Sequence, residues 1–142
     1  IDGREFNGLV MGNRDPVVLP VSEIVYQLPL GVPRILTYAA KWEESSPYYR
    51  GTKARCPAVL PIGEIEQINK ILLAVFRLTG CRGYARVDVR QGSDGGFRVI
   101  DINPNPDISP GAGASLQAKV AGMTYTRFIE RIIKLAAAQD SP

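Results

Sequence analysis

Arg86-Val87-Asp88 and Asp101-Ile102-Asn103 set a guanidinium, two carboxylates and an amide at alternate positions of two short segments, a donor set for a hard cation and for the anion that comes with it. The flanking sequence says how they meet. Ala85 to Arg90 and Phe97 to Asn103 both alternate apolar with polar residues, and Gln91-Gly92-Ser93-Asp94-Gly95-Gly96 separates them, so the stretch reads as strand, turn, strand. With Asp94-Gly95 as the central residues of a two-residue turn, Asp88 faces Asp101 and Arg86 faces Asn103, all four on one side of the hairpin. The same register gathers Val87, Val89, Ile100 and Ile102 on the other side, the apolar face a hairpin needs against a core.

Carboxylates opposed on neighbouring strands repel, and a cation between them removes the cost. Oxygen ligands from two Asp and an Asn suit Mg²⁺ or Mn²⁺, and Mg²⁺ takes few protein oxygens, filling its octahedron with water and phosphate oxygens. The implied partner is a metal-bound phosphate ester. A solvated outer face carrying charges of both signs shows the same alternation, and the pattern alone does not separate the two.

Beyond Asn103 the chain runs through Pro104-Asn105-Pro106-Asp107-Ile108-Ser109-Pro110-Gly111-Ala112-Gly113-Ala114-Ser115, turn formers at a strand end, where sites collect. Together with Arg86-x-Asp88 this resembles the C-terminal part of the ATP-grasp ligases, in their D-alanine-D-alanine ligase-like branch. The resemblance runs along most of the chain. Gly3-Arg4-Glu5-Phe6 is similar to the strand that opens the large ATP-grasp subdomain, Tyr38-Ala39-Ala40-Lys41-Trp42 to its lysine-bearing turn, and Ala121-Gly122-Met123-Thr124-Tyr125 to the entry of its last helix.

The resemblance implies an α+β fold, an antiparallel sheet backed by helices, forming the large C-terminal ATP-grasp subdomain. It implies Asp88, Asp101 and Asn103 as ligands of Mg²⁺ (or Mn²⁺) against the phosphates of ATP. It further implies Arg86 as the group that steadies the oxyanion formed when an amine attacks an acylphosphate, Glu5 as an acceptor for the ribose, and Lys41 as a phosphate contact. The expected activity is ATP-dependent joining of a carboxylate to an amine, with amino acids as substrates. Two other readings stand beside it: ligation of other amino acids or peptides in the same superfamily, and a nucleotide- or metal-binding module without catalysis.

Two features depart from the D-alanine ligases. Their second metal ligand is usually Glu, and Asp101 is one methylene shorter. They also pass from the Asn into a short Pro-Gly loop, whereas here Pro106 is followed by Asp107 and the segment to Ser115-Leu116 is longer. A Ser-Leu pair in that region helps the family bind the carboxylate of the second substrate, so Ser115 is either a substrate contact or the N-cap of the next helix, with the cap preferred.

Composition narrows the classes. The 142 residues are 45% hydrophobic, enough for one ordinary core, so one domain spanning 1–142 is expected. Lys and Arg total 17 against 14 Asp and Glu, and a net charge of +3 spread along the chain argues against a nucleic-acid partner. There is no histidine, which excludes histidine bases, triads and histidine metal sites within these residues. Cys56 and Cys81 lack paired spacing or a secretory segment, so reduced thiols in a cytoplasmic protein are expected. No apolar run reaches membrane length, and association of copies is left open. The opening Ile1-Asp2-Gly3-Arg4 reads as the interior of a longer polypeptide whose upstream part would carry the rest of a nucleotide site and the first-substrate domain, so these residues alone are expected to be inactive.

The remaining chain reads as scaffold. Arg4 to Met11 and Val17 to Leu28 are expected as antiparallel strands about a turn at Gly12–Pro16, Pro29 to Arg34 as a connector, Tyr38 to Trp42 as a helical turn, and Glu43 to Arg55 as a surface loop. Ile65, Ile68, Ile71, Leu72, Val75 and Phe76 follow helical spacing up to Gly80. Behind the N-cap Thr124, Tyr125, Phe128, Ile129, Ile132, Ile133 and Ala136 mark a second amphipathic helix.

Overall fold

The computed structural model describes residues 1, 3–35, 37, 39, 43 and 45–138. Among them, β1 (Glu5–Gly12), β2 (Val17–Val18), β3 (Ser22–Tyr26), β4 (Thr52–Arg55), β5 (Gly83–Gln91) and β6 (Phe97–Asn103) form one antiparallel sheet in the order β4-β3-β1-β5-β6, with β2 beside β1. The helices are α1 (Pro47–Arg50), α2 (Ile62–Leu78), α3 (Gly113–Val120) and α4 (Tyr125–Ala137). This is the α+β architecture expected from the sequence.

Period-two alternation divides β1 and β5 between two faces. One face carries Phe6, Val10, Ala85, Val87 and Val89, all fully buried, and α2 lies on it through Ile68, Leu72 and Phe76 at i, i+4 and i+8. The i+4 spacing stacks those three side chains into one ridge over the strands. Gly80, at φ +70°, takes the left-handed turn that ends the run and lets Cys81 N–H reach the Phe76 carbonyl at 3.0 Å. On the opposite face Leu9 and Met11 meet Ala114 and Ala118 of α3 and Phe128 of α4. Thr124 caps α4, its hydroxyl accepting from Arg127 N at 3.3 Å, while Tyr125 and Ile133, expected in the core stripe, remain 44% and 61% exposed because α4 buries only the side bearing Phe128.

Two expectations on the scaffold change. The strand expected over Val17–Leu28 is broken between β2 and β3. Its pairing with β1 runs Met11↔Val17 and Val10↔Val18, then resumes one residue out of step at Asn7↔Ser22, across Leu19-Pro20-Val21 where Pro20 has no N–H to donate. The loop expected over Glu43–Arg55 holds structure instead: Ser46 caps the short α1 by accepting from Tyr48 N at 3.2 Å, and Thr52–Arg55 forms the edge strand β4 along β3. The helical turn expected over Tyr38–Trp42 lies largely outside the described residues.

Candidate functional site

The face that α3 and α4 cover at one end is left open at the other, and what it presents there is polar. Along β1 the face reads Glu5, Asn7, then Leu9 and Met11; along β5 it reads Arg90, Asp88, Arg86 and Tyr84, paired with them in that order. Leu9, Met11 and Tyr84 belong to the α3–α4 core, so the helices end their cover where the polar residues begin. β6 adds Asp101 opposite Asp88 and Asn103 opposite Arg86, as the alternation predicts. Two adjoining hollows of about 360 and 300 Å³ share Glu5, Arg86 and Asp88, and make one continuous cleft.

Arg86 grips Asp88 with a two-pronged bond, Nε to Oδ1 at 2.7 Å and Nη2 to Oδ2 at 2.8 Å. Burial opposes the charge on Arg86, but the bond to Asp88 and the nearby charges of Asp88, Asp101 and Glu5 outweigh it and hold the guanidinium proton more firmly than usual. Asp88 is buried and Asp101 is exposed at the cleft margin. Asn103 turns its Oδ1 to Asn105 N at 2.9 Å, which fixes the start of the loop after β6.

Glu5 lies buried on the cleft wall, its Oε2 accepting from the Tyr26 hydroxyl at 2.7 Å and paired with Arg90 Nε at 3.3 Å. Tyr26 is pushed well above the usual phenol range, first by burial and then by its bond to Glu5. Arg90 also donates to the carbonyls of Ile1 and Arg34, so it joins the cleft wall to the connector after β3. Lys41 lies outside the described residues.

Ser115 does not cap α3. Ala112 holds the N-cap position without a side-chain bond, and Ser115, three residues on, shares its hydroxyl between the carbonyls of Ser109 at 2.8 Å and Ala112 at 2.9 Å. The loop is tightened further by Asp107, whose Oδ1 accepts from Ser109 N at 2.8 Å. Ala112, Gly113 and Asp107 line the cleft there.

Ile100 corrects the expected hairpin. The tip pairs Gln91 with Phe97 and Val89 with Val99, and the register then steps by one at Asp88. Ile100 is the extra residue of a β-bulge, 45% exposed on the cleft margin, so it is not on the apolar face with Val87, Val89 and Ile102.

Among the described residues no three His, Cys, Asp or Glu side chains cluster as a metal site. The donors that do converge, two carboxylates and one amide, are all oxygen, and each engaged oxygen keeps a further lone pair. That set fits a hard divalent cation that takes its remaining ligands from water and phosphate.

Four residues escaped the reading by motif: Asn7 and Arg90, which line the cleft, and Tyr26 and Gln117, which bond to its lining residues Glu5 and Asn7 from behind. Asn7 and Arg90 carried a signal, since they continue the alternation of Glu5 and of Arg86-x-Asp88. Tyr26 and Gln117 did not, because their partners lie 21 and 110 residues away in the chain.

An antiparallel sheet with helices on both faces, carrying an acid–amide–arginine cluster at its open end, is an α+β fold that known proteins share. The family model described as the D-ala D-ala ligase C-terminus matches residues 1–134, and the chain belongs to that family. It is 31% identical over 137 residues to the D-alanine--D-alanine ligase of Desulforudis audaxviator, covering 96% of this chain and 41% of that protein. Its fold matches the D-alanine--D-alanine ligase of Bacillus anthracis complexed with ATP, at a TM-score of 0.72 and 23% identity over 97% of this chain and 38% of that one. It also matches the Coxiella burnetii D-alanine-D-alanine ligase, at a TM-score of 0.76 and 21% identity over 98% of this chain and 33% of that one. The chain therefore spans about two fifths of the relatives it matches.

Proposed function

We propose that the polypeptide carrying this chain is an ATP-dependent carboxylate–amine ligase acting on amino acids, and that residues 1–142 form its C-terminal ATP-grasp domain. The juxtaposition that carries this reading is Asp88 opposite Asp101 with Arg86 opposite Asn103, on the open end of a sheet whose family is that of the D-alanine ligases. In the reaction a substrate carboxylate takes the terminal phosphoryl group of ATP, releasing ADP. The amine of a second substrate then attacks the acylphosphate carbon, phosphate leaves, and an amide bond remains.

Asp88, Asp101 and Asn103 would hold Mg²⁺, which when bound offsets phosphate charge. Arg86, at the centre of the cleft and always protonated, stabilises the oxygen that turns negative as the amine attacks. Glu5, with Oε1 unpartnered among the described residues, accepts from the ribose, and Lys41 contacts the phosphates. The carboxylate of the amine substrate meets the start of α3, where Ala112 and Gly113 line the cleft and Ser115 ties the preceding loop. Among the described residues no helix is long and apolar enough to span a membrane; ATP and free amino acids as substrates suit an enzyme of the cytoplasm.

A second reading, ligation of amino acids or small peptides other than D-alanine, is favoured by one observation. Asp107 adds a carboxylate to the cleft beside Asn103, and Ser109 bonds hold it below the usual carboxylate range, so it is ionised at neutral pH. Loss of catalysis, the third reading, draws no support from relatives named as ligases. ADP release by the full-length protein, measured with ATP, Mg²⁺ and a panel of D- and L-amino acids, decides among these. Amino-acid-dependent release that falls at least about tenfold in Asp101→Asn supports the ligase reading, since a ligand charge is lost from the metal. Unchanged turnover of that variant at limiting Mg²⁺ refutes the site.

A further inference from the structure

Gln117 is fully buried in the first turns of α3, and both arms of its amide reach β1. Their orientation follows from chemistry. The Leu9 backbone N–H only donates, and it points at Gln117 at 2.7 Å, so the atom it meets is Oε1. The other arm is then the NH₂ group, which donates to Asn7 at 2.7 Å, so the Asn7 atom facing it is Oδ1. The Asn7 NH₂ group is left turned away from Gln117. One backbone N–H thus fixes two amides in series.

Asn7 sits on the cleft lining between Glu5 and the α3–α4 core, directly opposite Asp88 across the β1–β5 ladder. Among the described residues nothing accepts from its Nδ2, the Asp88 carboxylate opposite included, which is held by Arg86. Anchoring α3 to the sheet requires only the bond from Leu9. The second arm, which orders Asn7, leaves an oriented pair of N–H donors at the middle of a cleft read as binding phosphate and carboxylate groups. A ligand oxyanion at this point would replace water as the acceptor for donors already held in place, so little ordering cost would remain to be met on binding.

We propose that Asn7 is a ligand-binding residue of this site that donates to an oxyanion, and that Gln117 is the positioning residue which aims it. The oxyanion is a nucleotide phosphate oxygen or the carboxylate of an amino-acid substrate. The assignment rests on the ligase reading for the identity of the anion, and two separate probes distinguish the sources.

The test uses the full-length protein and calorimetric binding of MgADP and of D-alanine, each measured separately, so that it is decided whether or not turnover is seen; turnover alone judges the ligase reading. Asn7→Asp keeps an acceptor for Gln117 and replaces the cleft-facing donors by a carboxylate oxygen. The Kd for MgADP is expected to rise at least about tenfold if the anion is phosphate, or that for D-alanine if it is carboxylate, with the other within about twofold. Both constants within about twofold of wild type overturn the proposal. The second measurement needs no variant that must fold: in the wild-type protein the Asn7 side-chain NH₂ resonances, assigned by ¹⁵N NMR, should shift on saturation with the probe it contacts. Resonances unmoved by both saturating probes also overturn it. Gln117→Glu, which keeps an acceptor for Leu9 N–H and removes the donor that orients Asn7, should weaken the same probe and spare the other, whereas a Gln117 that serves only to hold α3 would change neither.

Discussion

Asp88 and Asp101 oppose one another because Ile100 is an extra residue in β6. The turn is closed by Gly92 N–H to the Gly96 carbonyl at 2.8 Å, one residue longer than the two-residue turn the Asp94-Gly95 pair signals. That would slip every pair beyond it by one and set Asp88 against Ile100. The bulge absorbs the slip, and the register at the site is the one the alternation predicts.

Deleting Ile100 should therefore leave the site paired. Val99 would be followed directly by Asp101, and the ladder would pass from Val89–Val99 to Asp88–Asp101 without a break. Mn²⁺ affinity of the full-length protein in the presence of ADP is expected to stay within about threefold of wild type. Deleting Ile102 instead turns Asn103 away from Arg86 and should weaken it more than about tenfold. Equal losses in the two deletions would contradict this account of the hairpin.

On the ligase reading, Arg86 and Asp88 should make separable contributions. Arg86→Met removes a cation from beside Asp88 while retaining much of the stem's volume, so divalent-cation affinity should hold or improve. Turnover should fall by about 10²–10³, the loss typical of one missing oxyanion donor. Parallel isothermal titration with Mn²⁺ and a steady-state assay separates the two effects. A variant that loses cation binding in proportion to turnover would show that Arg86 serves only to position Asp88.

The hairpin, α2 and α4 were legible because period-two and i, i+4 patterns are local, and Gly80 and Thr124 mark ends by their own chemistry. β4 was not. Its four residues are a polar edge paired on one side, and the preceding Ser, Pro and Tyr residues look like a loop until Ser46 caps α1. The break at Pro20 was readable in principle from its missing N–H. The Ile100 bulge and the Gln117–Asn7 bond were not, since each depends on how a distant segment of chain aligns.

The glycine of the Gly3-Arg4-Glu5-Phe6 motif is required by close approach. A Cβ there would lie 1.7 Å from the Gln91 carbonyl oxygen, and the neighbouring Gln91 N–H donates to the Arg4 carbonyl at 2.9 Å. Gly3→Ala must push β1 from β5 just before Glu5, and should cost about 1–3 kcal/mol with weakened nucleotide binding. Gly63, where a Cβ meets nothing within 4 Å, provides the contrast: Gly63→Ala in the first turn of α2 should stabilise by about 0.5–1 kcal/mol. Chemical denaturation of the two variants checks both signs.

Glu23 makes stability of this sheet sensitive to acid. It is buried on β3, and burial by itself would raise its pKa; the bonds from Arg4 at 2.7 and 3.0 Å, together with that from Arg55 on β4, outweigh burial and hold it below the usual range. A carboxyl whose pKa is lower folded than unfolded adds stability above the unfolded value of about 4.3, and that stability disappears as the pH falls through the folded value. Glu23→Gln should consequently lower the apparent Tm at pH 7 by several degrees, roughly the loss of one charge-assisted bond of about 1.5–3 kcal/mol. The gap between variant and wild type should begin to close below about pH 5 and vanish well below pH 4. Because Arg55 lies beside Ala54, which lines the cleft, the variant should also bind MgADP more weakly than wild type when each is measured at pH 7 and at the same interval below its own Tm. A Tm difference that stays constant from pH 7 to pH 3 would place the stabilisation in packing and not in the charge of Glu23.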